Sequence, residues 1–401
     1  MAKKDVSIDN SNVLDLMNDQ LSKFLVGKID KISVEENIPL VPTKIKVLDL
    51  LLGGGIGSTT FTVLVGNPGT FKSTIASQIL KSFIEHHEKT TGIYIDTERI
   101  MTKERLESLG VKNLKPLSGF TVEKVVSLLQ SFTVFKDTKK LKEFPSIVIW
   151  DSIANTPVEA ELLTDNVNSV IGLKARLLSF YFPQIVELMG KYNIGIVAIN
   201  QFRDKINMGM FSSPNELKHM QHDKTMPGGN AIMFNASQLL QLKTKSSYDY
   251  TTSPYGFRAA IVNVLTVKNK FFPDNNSVDL VINVAKGVSD LYSSFELMKK
   301  HKLIVAGSWH YLTNFPEKKF RVKELESVYN SDPKFKEVFD SEIDALIENL
   351  HNKFSSYQND MSIDDETIEV DDNKIENIEQ NVMTISDLSN NEEKFIQETN
   401  E

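Results

Sequence analysis

The sequence has no cysteine among its 401 residues. This absence excludes disulfide bonds, cysteine nucleophiles and thiolate zinc sites. No apolar run approaches the ~18 residues of a membrane-spanning helix, and no apolar signal region follows the polar N-terminus. The seven histidines form no H-E-x-x-H pair, the zinc pattern of metalloproteases. We therefore expect a soluble, cytoplasmic protein with no membrane partner.

The charge of the chain is unevenly distributed. The net charge is −8, but residues 361–401 hold 13 acidic residues against Lys374 and Lys394, a net of −11. The other 360 residues therefore carry about +3, so a mildly basic body precedes a strongly acidic tail. Such a tail can screen a basic surface, dock on basic partners or simply keep the protein soluble.

The stretch from residue 61 to residue 83 is central to the interpretation of the sequence. Residues 61–65 are apolar and predict a buried strand, and helix-forming residues run from 72 to 83. Between them the pattern G-x-x-x-x-G-K-[ST] is matched except that Phe71 replaces its second glycine. An ordinary turn before a helix is the alternative. The spacing favours a nucleotide site formed by Gly66, Asn67, Pro68, Gly69, Thr70, Phe71, Lys72, Ser73 and Thr74.

The chemistry of such a loop follows from its geometry. Backbone N–H groups and the helix dipole at the N-terminus favour bound phosphate. Lys72 is predicted to reach the β- and γ-phosphates, and the Ser73 hydroxyl to bind Mg²⁺. The site is therefore predicted to use ATP or a related nucleotide with Mg²⁺.

Three more apolar segments, 92–95, 147–150 and 195–199, alternate with helical segments. This order predicts an α/β fold with a mostly parallel sheet and a ligand beyond the carboxyl ends of its strands. Segments 237–243, 257–267 and 278–283 are predicted to extend the sheet, mostly by antiparallel pairing. An amphipathic helix at 13–25 is expected to pack on its own domain or on an adjacent subunit.

These segments predict four regions. They are an N-terminal oligomerisation segment (1–35), an ATPase core (36–287), a small C-terminal α/β domain (288–357) and a disordered acidic tail (358–401). The C-terminal domain is expected to contain a helix over 291–300 and helical structure through about residue 350.

Polar side chains follow the predicted core strands. Asp151 ends one strand and is predicted to hold Mg²⁺ through a water, completing the coordination begun by Ser73, unless it is a cap or turn aspartate. Glu98 follows another and is the predicted general base for water, with a solvated turn residue as the alternative. Gln201 is predicted to sense the γ-phosphate. It precedes a 26-residue loop over 202–227, a length typical of functional or disordered segments.

In this order the motifs resemble those of RecA-family recombinases, over roughly residues 36–350. Besides the phosphate loop, Glu98, Asp151 and Gln201, the resemblance rests on Gly228-Gly229-Asn230 and Lys268-Asn269-Lys270. It is greatest to the UvsX-type recombinases of large phages, in which phenylalanine also precedes the P-loop lysine. The localisation would then be the cytoplasm of a host.

The resemblance implies roles for further residues. Two DNA-binding loops would lie at about 157–172 and 203–229, and Lys268 and Lys270 would reach the γ-phosphate of a neighbouring subunit. Basic groups would fix DNA phosphates while apolar side chains wedge between base triplets. The implied DNA-binding residues are Ile171, Gly172, Arg176, Arg203, Lys205, Ile206, Gly228, Gly229 and Asn230.

Two positions depart from the family pattern. Arg105 stands where the family stacks a tyrosine on adenine, although a guanidinium plane also stacks on a base. Phe71 puts a Cβ where many P-loops have glycine. In addition, the loop from 203 to 224 is only weakly basic and equally fits a mobile cover over the nucleotide.

The resemblance implies an ATP-dependent recombinase that forms helical filaments on single-stranded DNA and exchanges strands with duplex DNA. A single-strand-binding protein and a loading mediator would be further partners. A ring-forming hexameric helicase with the same ATPase core is the alternative. A third possibility is a clock- or signalling-type ATPase that binds protein instead of DNA.

Overall fold

The structure, a computed structural model, describes residues 38–164, 172–204 and 224–361, and of residues 204, 224 and 356–361 it describes the backbone alone. The predicted helix at 13–25 and the segment from 362 onward lie outside the described residues, as do Ile171, Lys205 and Ile206. The chain divides into two compact units, Met1–Lys353 and Phe354–Glu401. All site residues discussed below belong to the first. No described helix is both long enough and apolar enough to cross a membrane.

The described strands lie between residues 40 and 320. In chain order they are β1 (Leu40–Val41), β2 (Ile56–Gly57), β3 (Phe61–Gly66), β4 (Thr91–Asp96), β5 (Ser146–Asp151), β6 (Ile194–Gln201), β7 (Arg203–Asp204), β8 (Lys224–Thr225), β9 (Gln238–Tyr248), β10 (Ala259–Asn269), β11 (Ser277–Asn283), β12 (Gly287–Ser289), β13 (Ile304–Val305), β14 (His310–Leu312) and β15 (Phe315–Phe320).

The described helices lie between these strands and after the last of them. They are α1 (Lys46–Leu52), α2 (Lys72–Ile84), α3 (Lys103–Ser108), α4 (Val122–Thr138), α5 (Glu159–Leu163), α6 (Leu173–Tyr192), α7 (Asn230–Asn235), α8 (Asp290–Lys300), α9 (Leu325–Ser331) and α10 (Pro333–Met361). The last helix runs beyond residue 350, where helical structure was expected to end, and past residue 357, where the tail was expected to begin.

Eight strands form the central sheet, in the order β12-β11-β10-β9-β3-β6-β5-β4. The pairs from β4 through β5, β6 and β3 to β9 are parallel, and those from β9 to β12 are antiparallel. The predicted α/β class with a mostly parallel sheet is therefore confirmed. The parallel half brings the carboxyl ends of β3 to β6 to one edge of the sheet.

Helices cover the parallel strands because the strands are apolar on both faces. Phe61, Val63 and Val65 alternate along β3 and share one buried cluster with Val125 of α4 and Phe182 of α6. Successive strand residues face opposite sides, and α2 packs on β3, β5 and β6. Helix α2 is thereby held with its N-terminus at the carboxyl end of β3.

A buried lysine holds the starts of β5 and β6 together, at the edge of the sheet opposite to their carboxyl ends. Lys136, in the last turn of α4, is fully buried. Its Nζ donates hydrogen bonds to the Phe144 carbonyl at 2.7 Å, to Ser146 Oγ at 2.8 Å and to the Asn193 carbonyl at 3.3 Å. Burial lowers its pKa from 10.5 to about 8, because the charged form loses hydration.

This lysine makes stability depend on pH in a predictable direction. Below about pH 8 both folded and unfolded states carry the proton, so the burial penalty is present in full. Between about pH 8 and the unfolded pKa near 10.5 the folded state releases the proton first, so its relative stability rises with pH. From pH 7 to pH 9.5 the gain is about 2 kcal/mol.

We therefore expect the free energy of unfolding of the wild type, relative to Lys136→Met, to rise by about 2 kcal/mol between pH 7 and pH 9.5. Urea unfolding at both pH values measures it. Lys139→Met is the matched control because Lys139 is exposed at the end of the same helix, and its difference from wild type should stay constant. A pH-independent difference for Lys136→Met would contradict the penalty on the buried charge.

Candidate nucleotide site

The predicted phosphate loop lies between β3 and α2. A Cβ at Gly66 would lie 2.6 Å from the Leu242 carbonyl oxygen, so this position requires glycine. Phe71 has φ 60° and ψ 26°, the left-handed conformation that the usual glycine adopts without strain, at a cost of about 1–2 kcal/mol. Thr244 Oγ1 donates a hydrogen bond of 3.2 Å to the Gly69 carbonyl. The loop thus keeps a defined shape although phenylalanine replaces glycine.

Lys72 is buried beneath this loop. Its Nζ donates to the Gly66 carbonyl at 2.9 Å, to the Asn67 carbonyl at 2.8 Å and to Thr70 Oγ1 at 3.3 Å. Burial lowers the pKa of Lys72 to about 8, and the negative charges of Asp151 and Glu98 oppose that shift. The ammonium group is therefore poorly hydrated and close to both predicted acidic site residues.

Asp151 and Ser73 supply oxygen atoms next to the loop. Asp151 is buried and ends β5. Its Oδ2 accepts a 2.7 Å hydrogen bond from the Tyr94 hydroxyl, and its carboxylate is hydrogen bonded to Ser73. Burial raises the pKa of Asp151 to about 6, and the hydrogen bonds from Ser73 and Tyr94 oppose the rise. The peptide bond from Asp151 to Ser152 is cis.

These two side chains fit the predicted Mg²⁺. Mg²⁺ prefers a few protein oxygens and completes its octahedron with water and substrate phosphates. A carboxylate and a hydroxyl in contact at the end of the phosphate loop match that requirement. Over the described ranges, no group of three or more histidine, aspartate or glutamate side chains suggests another metal site.

The segment that carries Glu98 is fixed by Asp96. Its carboxylate accepts hydrogen bonds from the backbone N–H groups of Glu98 at 3.1 Å, Arg99 at 2.9 Å and Met101 at 2.7 Å. Thr97 Oγ1 also accepts from the Ser152 N–H at 3.0 Å. The turn after β4 is therefore tied to the turn after β5.

One oxygen of Glu98 is held by three donors. Oε1 accepts from Ser152 Oγ at 3.0 Å, Asn155 Nδ2 at 2.6 Å and Gln201 Nε2 at 3.0 Å. The sequence predicted Glu98 and Gln201 at this edge of the sheet but missed Ser152 and Asn155. Both follow Asp151 in a turn, where no sequence signal separates a donor from an ordinary turn residue.

Gln201 is the last residue of β6 and lies just before the second predicted DNA loop. The neighbouring Asn200 donates from Nδ2 to the Pro227 carbonyl at 2.9 Å, which connects the end of β6 to the far end of that loop. Gly228 and Gly229 have positive φ. Added Cβ atoms there would lie 2.9 Å from Leu178 and Ala175 of α6, respectively.

The described DNA-binding candidates lie around the start of α6. Gly172 is the N-cap of this helix, Arg176 is exposed one turn later, and Arg203 is exposed just after β6. Asn230 begins α7 directly after the glycine pair. The ends of both predicted DNA loops therefore meet near one helix terminus.

Arg105 contacts the backbone of the β11–β12 connection. Its guanidinium donates to the Val284 carbonyl at 2.9 Å and the Ala285 carbonyl at 3.0 Å. These N–H bonds lie in the guanidinium plane, so they do not use the flat faces that base stacking would need.

Lys268 and Lys270 lie away from the phosphate loop of their own subunit. Lys268 pairs with Leu239 on β9, whereas Gly66 pairs with Leu242, three residues nearer the carboxyl edge. Lys268 Nζ donates to the Met233 and Phe234 carbonyls at 2.9 and 3.0 Å. The structure therefore does not bring these lysines together with Lys72.

Comparison with known proteins gives consistent similarities. The family of the RecA N-terminal domain matches residues 11–289. A protein named RecA from Arthrospira platensis is 26% identical over 393 residues, 95% of this chain and 99% of that protein. RecA of Nostoc punctiforme is 29% identical over 66% of this chain and 68% of its own length. RecA of Rhizobium etli is 28% identical over 76% of this chain and 81% of its own length.

Proposed function

Because this chain belongs to the RecA family, we propose that it is an ATP-dependent DNA recombinase. It would form helical filaments on single-stranded DNA and catalyse homologous pairing and strand exchange with duplex DNA. The observation that carries the proposal is the convergence of Ser152, Asn155 and Gln201 on Oε1 of Glu98. A carboxylate held in this way beside the phosphate loop suits a base for water.

The proposed chemistry is hydrolysis of ATP to ADP and phosphate. Glu98 would take a proton from water through Oε2, because Oε1 is already occupied by three donors. Lys72 Nζ would exchange its carbonyl partners for phosphate oxygens and stabilise their charge. Ser73 and Asp151 would hold Mg²⁺, which supplies further positive charge to the phosphates. Gln201 would link the nucleotide state to the second DNA loop.

Within the family we propose the UvsX type of large phages. Phe71 before Lys72 supports this subtype, because phenylalanine also precedes the P-loop lysine in the UvsX-type recombinases. A single-strand-binding protein and a loading mediator would then act with the filament in the cytoplasm of a host. Residues 1–35 would serve oligomerisation, and residues 36–287 would bind ATP and DNA. Residues 288–357 would form a small C-terminal domain, and the acidic residues 358–401 would screen the basic DNA-binding surface.

We expect single-stranded DNA to raise the ATPase rate by about tenfold or more, because the proposed DNA loops follow Asn155 and Gln201, which both donate hydrogen bonds to Glu98. Negative-stain microscopy with single-stranded DNA and a non-hydrolysable ATP analogue should show helical filaments. Lys72→Ala, which removes the phosphate-binding cation, should lose both. Rings instead of filaments would indicate the helicase alternative, and an ATPase rate indifferent to DNA would indicate a protein-binding ATPase.

A further inference from the structure

Asn155 makes the shortest of the three hydrogen bonds to Glu98. Its Nδ2 lies 2.6 Å from Oε1, and its backbone N–H donates to Ser152 Oγ at 3.4 Å. Ser152 Oγ in turn donates to the same carboxylate oxygen at 3.0 Å. The turn after β5 thus encloses Oε1, and no described residue donates a hydrogen bond to Oε2. The rotation of the Glu98 carboxylate is set by this turn together with Gln201.

The position of Asn155 is fixed from a second direction. Lys174 Nζ donates a 3.0 Å hydrogen bond to the Ala154 carbonyl. That carbonyl belongs to the same planar peptide group as the Asn155 N–H. A shift of the Lys174 ammonium therefore tilts the peptide that carries Asn155, and with it the amide that holds Glu98.

Lys174 lies where the proposed first DNA loop returns to the core. It is the second residue of α6, and Gly172 caps that helix. Burial is the main cause that lowers the pKa of Lys174, and the positive charge of Arg203 adds to it while Glu161 opposes it. Arg203 follows Gln201 at the start of the second proposed loop. Lys174 is thus close to the ends of both loops.

We propose that Asn155 is a positioning residue for Glu98 and that Lys174 couples Asn155 to the end of the first DNA loop. DNA seated on that loop sets the orientation of the general base through the Lys174–Ala154–Asn155 contacts. Gln201 provides the parallel route from the second loop, so both loops act on one carboxylate oxygen. The inference rests on the proposed function, since it takes Glu98 as the base and the loops as DNA-binding.

The first test replaces the Asn155 amide, which donates the hydrogen bond to Glu98. Asn155→Asp keeps the volume but replaces the N–H donor by an oxygen facing Glu98, and Asn155→Ala removes the group. Both should lower kcat at saturating ATP and single-stranded DNA by about tenfold or more, with little change in the KM for ATP. Asn113→Asp is the control, because Asn113 is exposed in the turn after α3.

A positioning role predicts a fall in kcat without a change in thermal unfolding, since the Asn155 side chain is exposed. A structural role predicts a lower unfolding temperature and a parallel loss of nucleotide binding. Wild-type kcat in Asn155→Ala would overturn the proposal, because that variant has no side-chain group that can donate the hydrogen bond.

The second test is a double-mutant cycle between Asn155 and Lys174. Lys174→Met should lower kcat at saturating DNA by about fivefold to tenfold in the wild-type background, and should have no further effect in Asn155→Ala. Lys191→Met, at the other end of α6, should leave kcat unchanged. Additive losses would mean that Lys174 acts independently, which overturns the coupling.

These results separate the inference from the proposed function. A wild-type rate that does not respond to DNA contradicts the proposed function and the coupling together, while kcat of Asn155→Ala still tests the positioning of Glu98. If the wild type is stimulated by DNA and Asn155→Ala keeps both the stimulation and the kcat, only the inference is contradicted.

Discussion

Glu98→Gln is expected to lower the rate of ATP hydrolysis by about 10²–10⁴-fold while ATP still binds and DNA-bound filaments still form. Glutamine has the shape of glutamate, so Ser152, Asn155 and Gln201 can still donate to its carbonyl oxygen. Those three donors place the carbonyl at the Oε1 position and the new NH₂ group at the Oε2 position. An amide nitrogen there cannot accept a proton from water.

Three measurements check this expectation. Single-turnover hydrolysis gives the chemical rate, equilibrium binding of a fluorescent ATP analogue gives the affinity, and negative-stain microscopy with single-stranded DNA and ATP gives the assembly state. Glu107→Gln is the matched control, because Glu107 is exposed and pairs with Lys103 in its own helix. Hydrolysis at the wild-type rate in Glu98→Gln would mean that another group activates the water.

The architecture around this base follows from simple sequence patterns. Short apolar segments that alternate with helices predict a parallel sheet, and polar residues that end such strands must meet at one edge. That reasoning was sufficient to predict that Lys72, Asp151, Glu98 and Gln201 lie together. The antiparallel extension through β10 and β11 was equally predictable from turn residues between β-prone segments.

Contacts that depend on turns were not predictable in this way. Asn155 reaches Glu98 where the turns after β4 and β5 are joined, in part by Thr97, which hydrogen bonds to the Ser152 backbone. Arg105 bonds to the Val284 and Ala285 carbonyls across a sequence separation of about 180 residues. Neither contact leaves a periodic or spacing signal in the sequence. The same holds for Lys136, which looks like an exposed helix-end lysine.

Conformational detail at Phe71 was only partly predictable. The P-loop pattern has glycine at this position, the residue that adopts positive φ most readily, and the structure gives Phe71 a φ of 60°. The pattern does not show which contacts hold the loop in place. The bond from Thr244 to the Gly69 carbonyl comes from β9, some 175 residues further along the chain.

The other large effect is expected at Lys268 and Lys270, which lie too far from their own phosphate loop to act on it. Along the strand direction, Lys268 and Gly66 are about three residues apart, a distance of about 10 Å. Across the sheet, their strands are two spacings apart, which adds a further distance of about 10 Å. A lysine side chain does not span this distance. A role for these lysines at the γ-phosphate therefore requires a second subunit.

Lys268 also has a role within its own subunit, and the experiment must distinguish it from a role at the neighbouring subunit's γ-phosphate. Its Nζ donates to two carbonyls at the C-terminal end of α7, where a cation stabilises a helix. Burial lowers its pKa, and the charge of Lys270 adds to that effect. Lys268→Ala is therefore expected to destabilise α7 modestly, by about 1 kcal/mol, whereas exposed Lys270 has no such contact among the described residues.

The double variant Lys268→Ala with Lys270→Ala should keep ATP binding by the isolated subunit and lose DNA-stimulated turnover by about 10²-fold or more. Positive charge supplied by a neighbour stabilises the transferring phosphoryl group and makes hydrolysis depend on assembly. Single-turnover ATPase assays with each single variant show whether Lys270 alone accounts for the loss. Lys139→Ala with Lys140→Ala, two exposed lysines after α4, is the control pair.

Mixing this double variant with Glu98→Gln should restore turnover, because the two defects lie on opposite sides of a subunit contact. A site with an intact base on the lysine-deficient subunit would face intact lysines on the Glu98→Gln subunit. In a random one-to-one filament about one quarter of the contacts have this arrangement, so up to about a quarter of the wild-type rate should return. Fluorescently labelled subunits would verify that mixed filaments form. No recovery in verified mixed filaments would mean that the lysines act within their own subunit or only on DNA.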